Sequence, residues 1–103
     1  MTRNPLMRGI KPIHPGQHLR EDILPVLKKS KSEIAGLLGV SRQTLYDVLG
    51  EKNPITPNLA LRIGKLVGGG AEVWLAMQQA FDLEETEKKI KDELKTIPTL
   101  HAA

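Results

Sequence analysis

Four side chains that can form hydrogen bonds with DNA bases lie close together in the sequence: Arg42, Gln43, Tyr46 and Asp47. An arginine can bind O6 and N7 of guanine through two donors, and a glutamine can bind N6 and N7 of adenine in the same bidentate way. A tyrosine can contact a thymine methyl group or a phosphate, and an aspartate can accept from the amino group of cytosine. We therefore predict base contacts for all four. The charge of Asp47 is unfavourable near phosphate, and its carboxylate can instead orient Arg42 or Lys52.

The residues around these four have the spacing of a helix-turn-helix. Ser30 and Glu33 form a capping box for a first helix over about 31–38, and Ser41 is a good N-cap for a second helix over about 42–49. A glycine and a valine form the turn between the two helices. On the second helix, the residues predicted to face the core are Leu45, Val48 and Leu49. This leaves the four base-reading side chains on the outward face.

Further polar residues flank this motif and can bind the phosphate backbone. They lie at the starts of the two helices and in the loop after the second one, at Lys31, Ser41, Thr44, Lys52 and Asn53. The charge distribution favours a DNA-binding face, because residues 1–65 carry eleven Lys and Arg against five acids, a net +6. Residues 66–103 carry four Lys against seven acids, a net −3, which suits contact with a protein.

The pattern along the chain predicts an all-α fold in three parts. Residues 1–13 should form a flexible basic arm, 14–82 a helix-turn-helix DNA-binding domain and 83–103 an amphipathic helix with a frayed end. Within the domain, Pro25 should end or kink the first helix at Leu24, because proline lacks the N–H that a helix interior needs.

A fifth helix, which should begin near Ala71 after three consecutive glycines, is apolar around much of its circumference. One side of such a helix can seal the core and the other can bind a second subunit. The residues predicted to supply a homodimer contact are Trp74, Met77, Ala80 and Phe81. Two-fold pairing would place two recognition helices about one turn of DNA apart.

The composition excludes several classes of site. There is no cysteine, which excludes disulfides, thiolate metal sites and a cysteine nucleophile. No apolar run approaches the roughly 20 residues of a membrane span, and the N-terminus lacks the apolar stretch of a secretory signal, so we expect a cytoplasmic protein. His14 and His18 have the i,i+4 spacing of zinc ligands, but the residues between them do not match a metalloprotease motif. We expect no metal, no cofactor and no enzymatic activity.

Three segments carry a family resemblance: HPGQHLREDIL (14–24), SEIAGLLGVSRQTLYDVLGEKNPITPNLALRIGKLVG (32–68) and WLAMQQAFDL (74–83). They resemble the HigA antitoxin family, a branch of the Xre/Cro-repressor-like helix-turn-helix proteins. The resemblance implies a five-helix lambda-repressor-like domain, here with an additional C-terminal amphipathic helix. The chain departs from the family pattern at Gly69-Gly70-Ala71, where relatives usually carry a capping Ser or Asp followed by Pro. The start of helix five is therefore expected to be looser.

The same resemblance implies a function and partners. It implies a non-enzymatic antitoxin that binds as a homodimer to a palindromic operator in its own promoter and represses that promoter. It also implies neutralisation of a HigB-type toxin that cleaves messenger RNA. The surface that would bind this toxin stays open among the N-terminal arm, the first helix and the acidic tail.

Two other functions fit the same fold. A stand-alone transcriptional repressor would bind DNA without a toxin partner, and only the neighbouring gene or a pulldown separates it from an antitoxin. A protein-interaction module that has lost DNA binding is the third alternative. The positive N-terminal part and the Arg42–Gln43 pair argue against such a module, because it would need neither.

Overall fold

Six helices and no strand form the part of the chain that the computed structural model describes, residues 11–101. The first helix, α1, consists of the consecutive segments Pro15–His18, Leu19–Ile23 and Leu24–Leu27. The others are α2 (Lys31–Leu38), α3 (Arg42–Leu49), α4 (Pro57–Val67), α5 (Glu72–Lys89) and α6 (Lys91–Leu94). The predicted all-α fold, a five-helix helix-turn-helix domain with an additional C-terminal helix, is confirmed. Most of the predicted arm (1–10) and the end of the predicted frayed tail (102–103) lie outside the described residues.

Helix α1 continues through Pro25, so the predicted end at Leu24 is wrong, but the helix changes from π to α at Leu24, where the sequence predicted an end or a kink. Its middle segment is π-helical, and the N–H of Leu24 donates to the carbonyl of Leu19, five residues earlier. Pro25 follows shortly after this π-helical segment. The helix ends at Lys28, whose φ of 55° is left-handed.

Helix α5 is one continuous helix of 18 residues, whereas the sequence predicted a separate amphipathic helix from Leu83. The predicted boundary between the second and third parts therefore falls inside α5. The helix starts after Ala71 without a side-chain cap, as the departure from the family pattern predicted. It breaks at Ile90, and the short α6 ends at Leu94, within the segment predicted as the C-terminal amphipathic helix.

The core lies between α1, α2, α3, α4 and the first half of α5. Its buried apolar residues are Leu19, Leu24, Ile34, Ala35, Leu38, Leu45, Val48, Leu49, Ile55, Leu59, Ala60, Ile63, Ala71 and Trp74. The predicted inward face of α3 is confirmed, because Leu45, Val48 and Leu49 are no more than 3% exposed. These three side chains fix the rotation of α3 about its own axis.

Helices α1 and α3 approach each other closely at Gly16. A Cβ atom at this position would lie 1.9 Å from the carbonyl oxygen of Val48. No real Cβ can approach an oxygen so closely, so any other residue would push the start of α1 away from α3. The absence of a side chain at Gly16 therefore sets the distance between these two helices.

His14 connects the start of α1 with two other parts of the fold. Its ring is buried, and Nδ1 accepts a hydrogen bond from the N–H of Gly16 at 2.9 Å, which caps the helix. The ring packs edge-on against Phe81 of α5, with 5.2 Å between the two centroids. It also forms a hydrogen bond with the backbone of Asn53, in the loop after α3. Burial lowers the pKa of His14, because the interior disfavours the charged imidazolium.

We predict that Gly16→Ala lowers the free energy of unfolding by about 1–3 kcal/mol, because the added methyl group overlaps the Val48 carbonyl. Urea denaturation measures the change. Gly36→Ala is the matched control, since a Cβ at this exposed site on α2 meets no atom within 4 Å. Alanine there should be neutral or stabilising by up to about 1 kcal/mol. Equal effects of the two substitutions would contradict the close contact.

We also predict that the free energy of unfolding decreases when the pH is lowered, and that His14 causes part of this decrease. The unfolded imidazole binds a proton near pH 6.5, whereas the buried one does so only at lower pH. Below about 6.5 the unfolded state therefore binds more protons, and stability falls as the pH drops through the lowered pKa. Nearby Glu51 and Asp82 oppose this shift without reversing it.

His14→Asn is the variant that isolates this contribution, because asparagine keeps an N-cap acceptor and does not titrate. Unfolding free energies of both proteins are measured between pH 7.5 and 5. The wild type should lose stability relative to the variant as the pH falls below about 6.5. Parallel curves for the two proteins would remove His14 as the cause.

Candidate nucleic-acid interface

The side chain of Ser41 caps the N-terminus of α3, as predicted. Its Oγ accepts a hydrogen bond from the N–H of Thr44 at 3.0 Å. The N–H groups of the preceding two residues have no partner within the helix, because they lie in its first turn. The first turn of α3 therefore combines exposed donors of the backbone with the exposed side chains of Arg42 and Gln43.

Helix α2 is closed at its start by the predicted capping box. The N–H of Glu33 donates to Ser30 Oγ at 3.0 Å, and the N–H of Ser30 donates to Glu33 Oε1 at 3.1 Å. The hydrogen bond from the Ser30 N–H lowers the pKa of the Glu33 carboxyl group, and the Ser30 hydroxyl adds to this effect. At the other end, Gly39 has a left-handed φ of 73°, which glycine adopts without strain. The chain thereby turns directly into Ser41 and α3.

Two arginines bind carbonyl groups at the C-terminal ends of the two helices. Nη1 of Arg62 on α4 donates to the carbonyl of Leu38 at 2.9 Å, and Nη1 of Arg20 on α1 donates to the carbonyl of Leu49. Such carbonyl groups have no partner within their helix, and a cation there also complements the helix dipole. Sequence reasoning missed both arginines, because their partners lie 24 and 29 residues away along the chain.

The reading face, which we define as the side of α3 formed by Arg42, Gln43, Tyr46 and Asp47, is open to solvent. The first three side chains are exposed, and Asp47 is half-buried. Nζ of Lys31 on α2 lies 5.8 Å from the centroid of the Tyr46 ring, within the range of a cation–π contact. The structure thus brings Lys31 and all four residues to one surface. Their contacts with bases stay predictions.

The carboxylate and the backbone carbonyl of Asp47 already have hydrogen-bond partners within the protein. Its Oδ1 accepts a hydrogen bond from Nε2 of Gln43 at 2.7 Å, and its Oδ2 lies 3.5 Å from Nδ2 of Asn53. Its backbone carbonyl accepts from the N–H groups of Lys52 and Asn53, at 2.8 and 3.2 Å. The sequence offered Arg42 and Lys52 as side chains for Asp47 to orient, but the structure places the carboxylate against Gln43.

The five residues predicted to bind phosphate are exposed, and they lie around the reading face. Lys31 is at the start of α2, Ser41 and Thr44 are at the start of α3, and Lys52 and Asn53 follow α3. The hydroxyl oxygens of Ser41 and Thr44 are 2.8 Å apart, so one of these groups already donates within the protein. Their binding to phosphate stays a prediction.

Helix α5 uses most of the predicted dimer residues inside its own chain. Trp74 is 2% exposed, Met77 packs against the core, and Phe81 contacts the ring of His14. This burial argues against Trp74 as a contact for a second copy. A helix that is apolar all round does not reveal from sequence which side faces inward. The outward apolar side of α5 carries Val73, Ala76 and Leu83, which are exposed, and Ala80, which is half-buried.

The two histidines with zinc-ligand spacing serve separate local contacts. His14 caps α1, whereas Nδ1 of His18 lies 2.8 Å from Oδ2 of Asp22 and its ring is 5.5 Å from that of Trp74. Among residues 11–101, no group of three His, Asp or Glu side chains is placed to hold a metal ion.

Gln78 is a buried polar residue that sequence reasoning missed. Its Oε1 accepts from the N–H of Ile55 at 2.7 Å, and its Nε2 donates to Oδ1 of Asp82 at 2.9 Å. The side chain thereby ties the loop between α3 and α4 to α5. The only sequence signal was a polar residue on the side of α5 that also carries Trp74.

Within the described part of the chain, no helix is long and apolar enough to cross a membrane.

Known proteins are similar to this chain in sequence and in fold, although no protein-family model matches the chain. The chain is 40% identical over 76 residues to virulence-associated protein I of Dichelobacter nodosus, which covers 74% of this chain and 70% of that protein. The solved structure of the antitoxin GraA in complex with its operator has a TM-score of 0.83 and 32% identity, with 100% of both chains covered. An addiction module antidote protein of the HigA family from Coxiella burnetii has a TM-score of 0.80 and 30% identity, covering 89% of this chain and 100% of that one.

Proposed function

We propose that this chain, which belongs to the HigA family of helix-turn-helix proteins, is an antitoxin that represses its own promoter and neutralises a HigB-type toxin. One observation carries the DNA-binding part of this proposal. Helix α3 buries Leu45 and Val48 and exposes Arg42, Gln43 and Tyr46 on its opposite side. A helix with that division can enter the major groove with polar side chains towards base edges.

The surroundings of the reading face favour the DNA backbone as the second point of contact. Lys31, at the start of α2, and Lys52, after α3, are exposed on either side of the reading face. Cations in these places would bind phosphates and fix the register of α3 in the groove. We do not assign this role to Arg62 and Arg20, because each guanidinium group already donates to a carbonyl group of the protein.

The homodimer follows from the size of the reading face, because one eight-residue helix contacts only a few base pairs. Two copies related by a two-fold axis would read the two halves of a palindrome. We assign the contact to the outward side of α5, where Val73 is 51% and Leu83 is 48% exposed. Ala80 from the predicted set lies on this side, and Trp74 does not.

The toxin part of the proposal is supported by family membership and by charge. A ribonuclease needs a positive surface to bind RNA, and residues 66–103 of this chain carry a net −3. The acidic residues of α5 and α6 would complement such a surface. Both partners would be met in the cytoplasm, and the proposal assigns no catalytic step to this chain.

We predict that Arg42→Ala weakens binding to the operator by about 1–3 kcal/mol and relaxes the preference at one base pair. The guanidinium group is exposed and supports no described contact of the fold, so the variant should fold normally. Fluorescence anisotropy with the promoter duplex and with point variants of it measures both effects. Unchanged affinity and selectivity would contradict the assignment of α3 as the recognition helix.

Lys52→Ala is the contrasting variant for the same measurement. It should weaken binding to every duplex about equally and reduce the slope of log K against log salt by about one unit, because it removes one phosphate contact. A loss confined to one base pair would instead show that Lys52 reads sequence.

Co-expression tests the toxin part directly. We predict that a small basic reading frame beside this gene arrests growth when expressed alone, that this chain relieves the arrest, and that the two proteins co-purify. Arg42→Ala should preserve the relief, since Arg42 is on α3 and the acidic residues assigned to the toxin contact are on α5 and α6. A harmless neighbour that does not co-purify would favour a stand-alone repressor of the same fold.

A further inference from the structure

The contact between Gln43 and Asp47 fixes which end of the Gln43 amide faces outward. Nε2 of Gln43 donates to Oδ1 of Asp47 at 2.7 Å. An ionised carboxylate can only accept hydrogen bonds. A rotation of the amide by 180° would place Oε1 of Gln43 against Oδ1 of Asp47, so two acceptors would face each other. The carboxylate therefore holds the nitrogen inward and turns the amide oxygen towards solvent.

The same carboxylate is held from its other side. Nδ2 of Asn53 lies 3.5 Å from Oδ2 of Asp47, at the long limit of a hydrogen bond. The backbone N–H groups of Lys52 and Asn53 donate to the carbonyl of Asp47. Both carboxylate oxygens thus have partners in the protein, and the side chain is half-buried. These contacts leave Asp47 poorly placed to accept from a base, and well placed to orient Gln43.

We propose that Asp47 is a positioning residue that presents Gln43 to the DNA as an acceptor, so that Gln43 selects a base carrying an amino group. This inference rests on the proposed DNA-binding function. The exposed Oε1 would accept from N6 of adenine, and the second N–H of Nε2 would donate to N7 of the same base. Cytosine offers its N4 amino group and is the second choice. Guanine and thymine are disfavoured, because neither offers an amino hydrogen in the major groove to the outward oxygen, and only the one remaining N–H of Nε2 is left to donate to their O6 or O4.

The test needs the base pair that Gln43 reads. A duplex that binds the wild-type protein is first selected from a random-sequence pool. The position at which Gln43→Ala loses its preference then identifies the base pair. Affinities for all four base pairs at that position are measured at fixed salt for the wild type, Gln43→Ala, Asp47→Asn and Asp92→Asn. The last variant is the matched control, because it removes the same charge from an exposed site on α6.

The wild type should prefer adenine or cytosine over guanine or thymine by about tenfold, a typical discrimination for one base contact. In Asp47→Asn, the new side-chain amide can donate as well as accept, so the Gln43 amide is free to rotate. The preference should shrink to within about threefold, while affinity for all four duplexes is kept or rises, because a negative charge near phosphate is lost. Asp92→Asn should keep the wild-type preference. A thermal melt of Asp47→Asn checks that the fold is intact.

Three results would overturn the inference while leaving DNA binding in place. Asp47→Asn could keep the full preference that Gln43→Ala loses, which would show that Gln43 needs no positioning. Asp47→Asn could alter the preference at a different base pair, which would make Asp47 a direct reader. The wild type could prefer guanine or thymine at the Gln43 position. A wild-type protein without any sequence preference would overturn the proposed function, and this inference with it.

Discussion

The orientation of α3 is fixed by hydrogen bonds at both of its ends, and every proposed contact with DNA depends on that orientation. Ser41 satisfies a backbone N–H at the start of the helix, and Arg20 from α1 binds the carbonyl of Leu49 at its end. Between these two points, Leu45 and Val48 are buried and set the rotation of the helix. An isolated helix of eight residues would not persist in water, so these external contacts create the surface.

The rest of the fold holds α3 in place from several directions. Gly16 allows α1 to approach the backbone of α3, and Arg62 from α4 closes the end of α2 just before the turn. Gln78 ties the loop after α3 to α5, and His14 connects that loop with the start of α1. Two of these hydrogen bonds, from Ile55 to Gln78 and from Arg62 to Leu38, join segments that are more than 20 residues apart in the sequence. The protein thus exposes the polar side of a short helix whose other side is packed into an aliphatic core.

Local patterns predicted from the sequence were correct where the physics is local. The capping box of α2, the Ser41 cap and the inward face of α3 depend on residues within one or two turns, and all three are present. The continuation of α1 beyond Pro25 was not predicted, because the π-helical segment before the proline leaves no signature in the composition. The direction of Trp74 was missed, because α5 is apolar on more than one side.

The contact between Gln43 and Asp47 can be predicted from the sequence. Residues four apart on a helix are neighbours, and a glutamine and an aspartate at that spacing form a hydrogen bond. A prediction from charge alone pairs Asp47 with DNA amino groups or with cations, and therefore does not include Gln43. The contacts of Arg20 and Arg62 could not be predicted in the same way, because they depend on the packing of whole helices.

The most direct test of the account is an NMR titration of the ¹⁵N-labelled protein with a duplex selected for binding. The central claim is that α3, flanked by the start of α2 and the loop after α3, is the surface that meets DNA. The largest amide shift changes should fall within residues 30–33 and 41–53, and α6 should change little. Changes concentrated on α5 and α6, with those of α3 unperturbed, would contradict the claim.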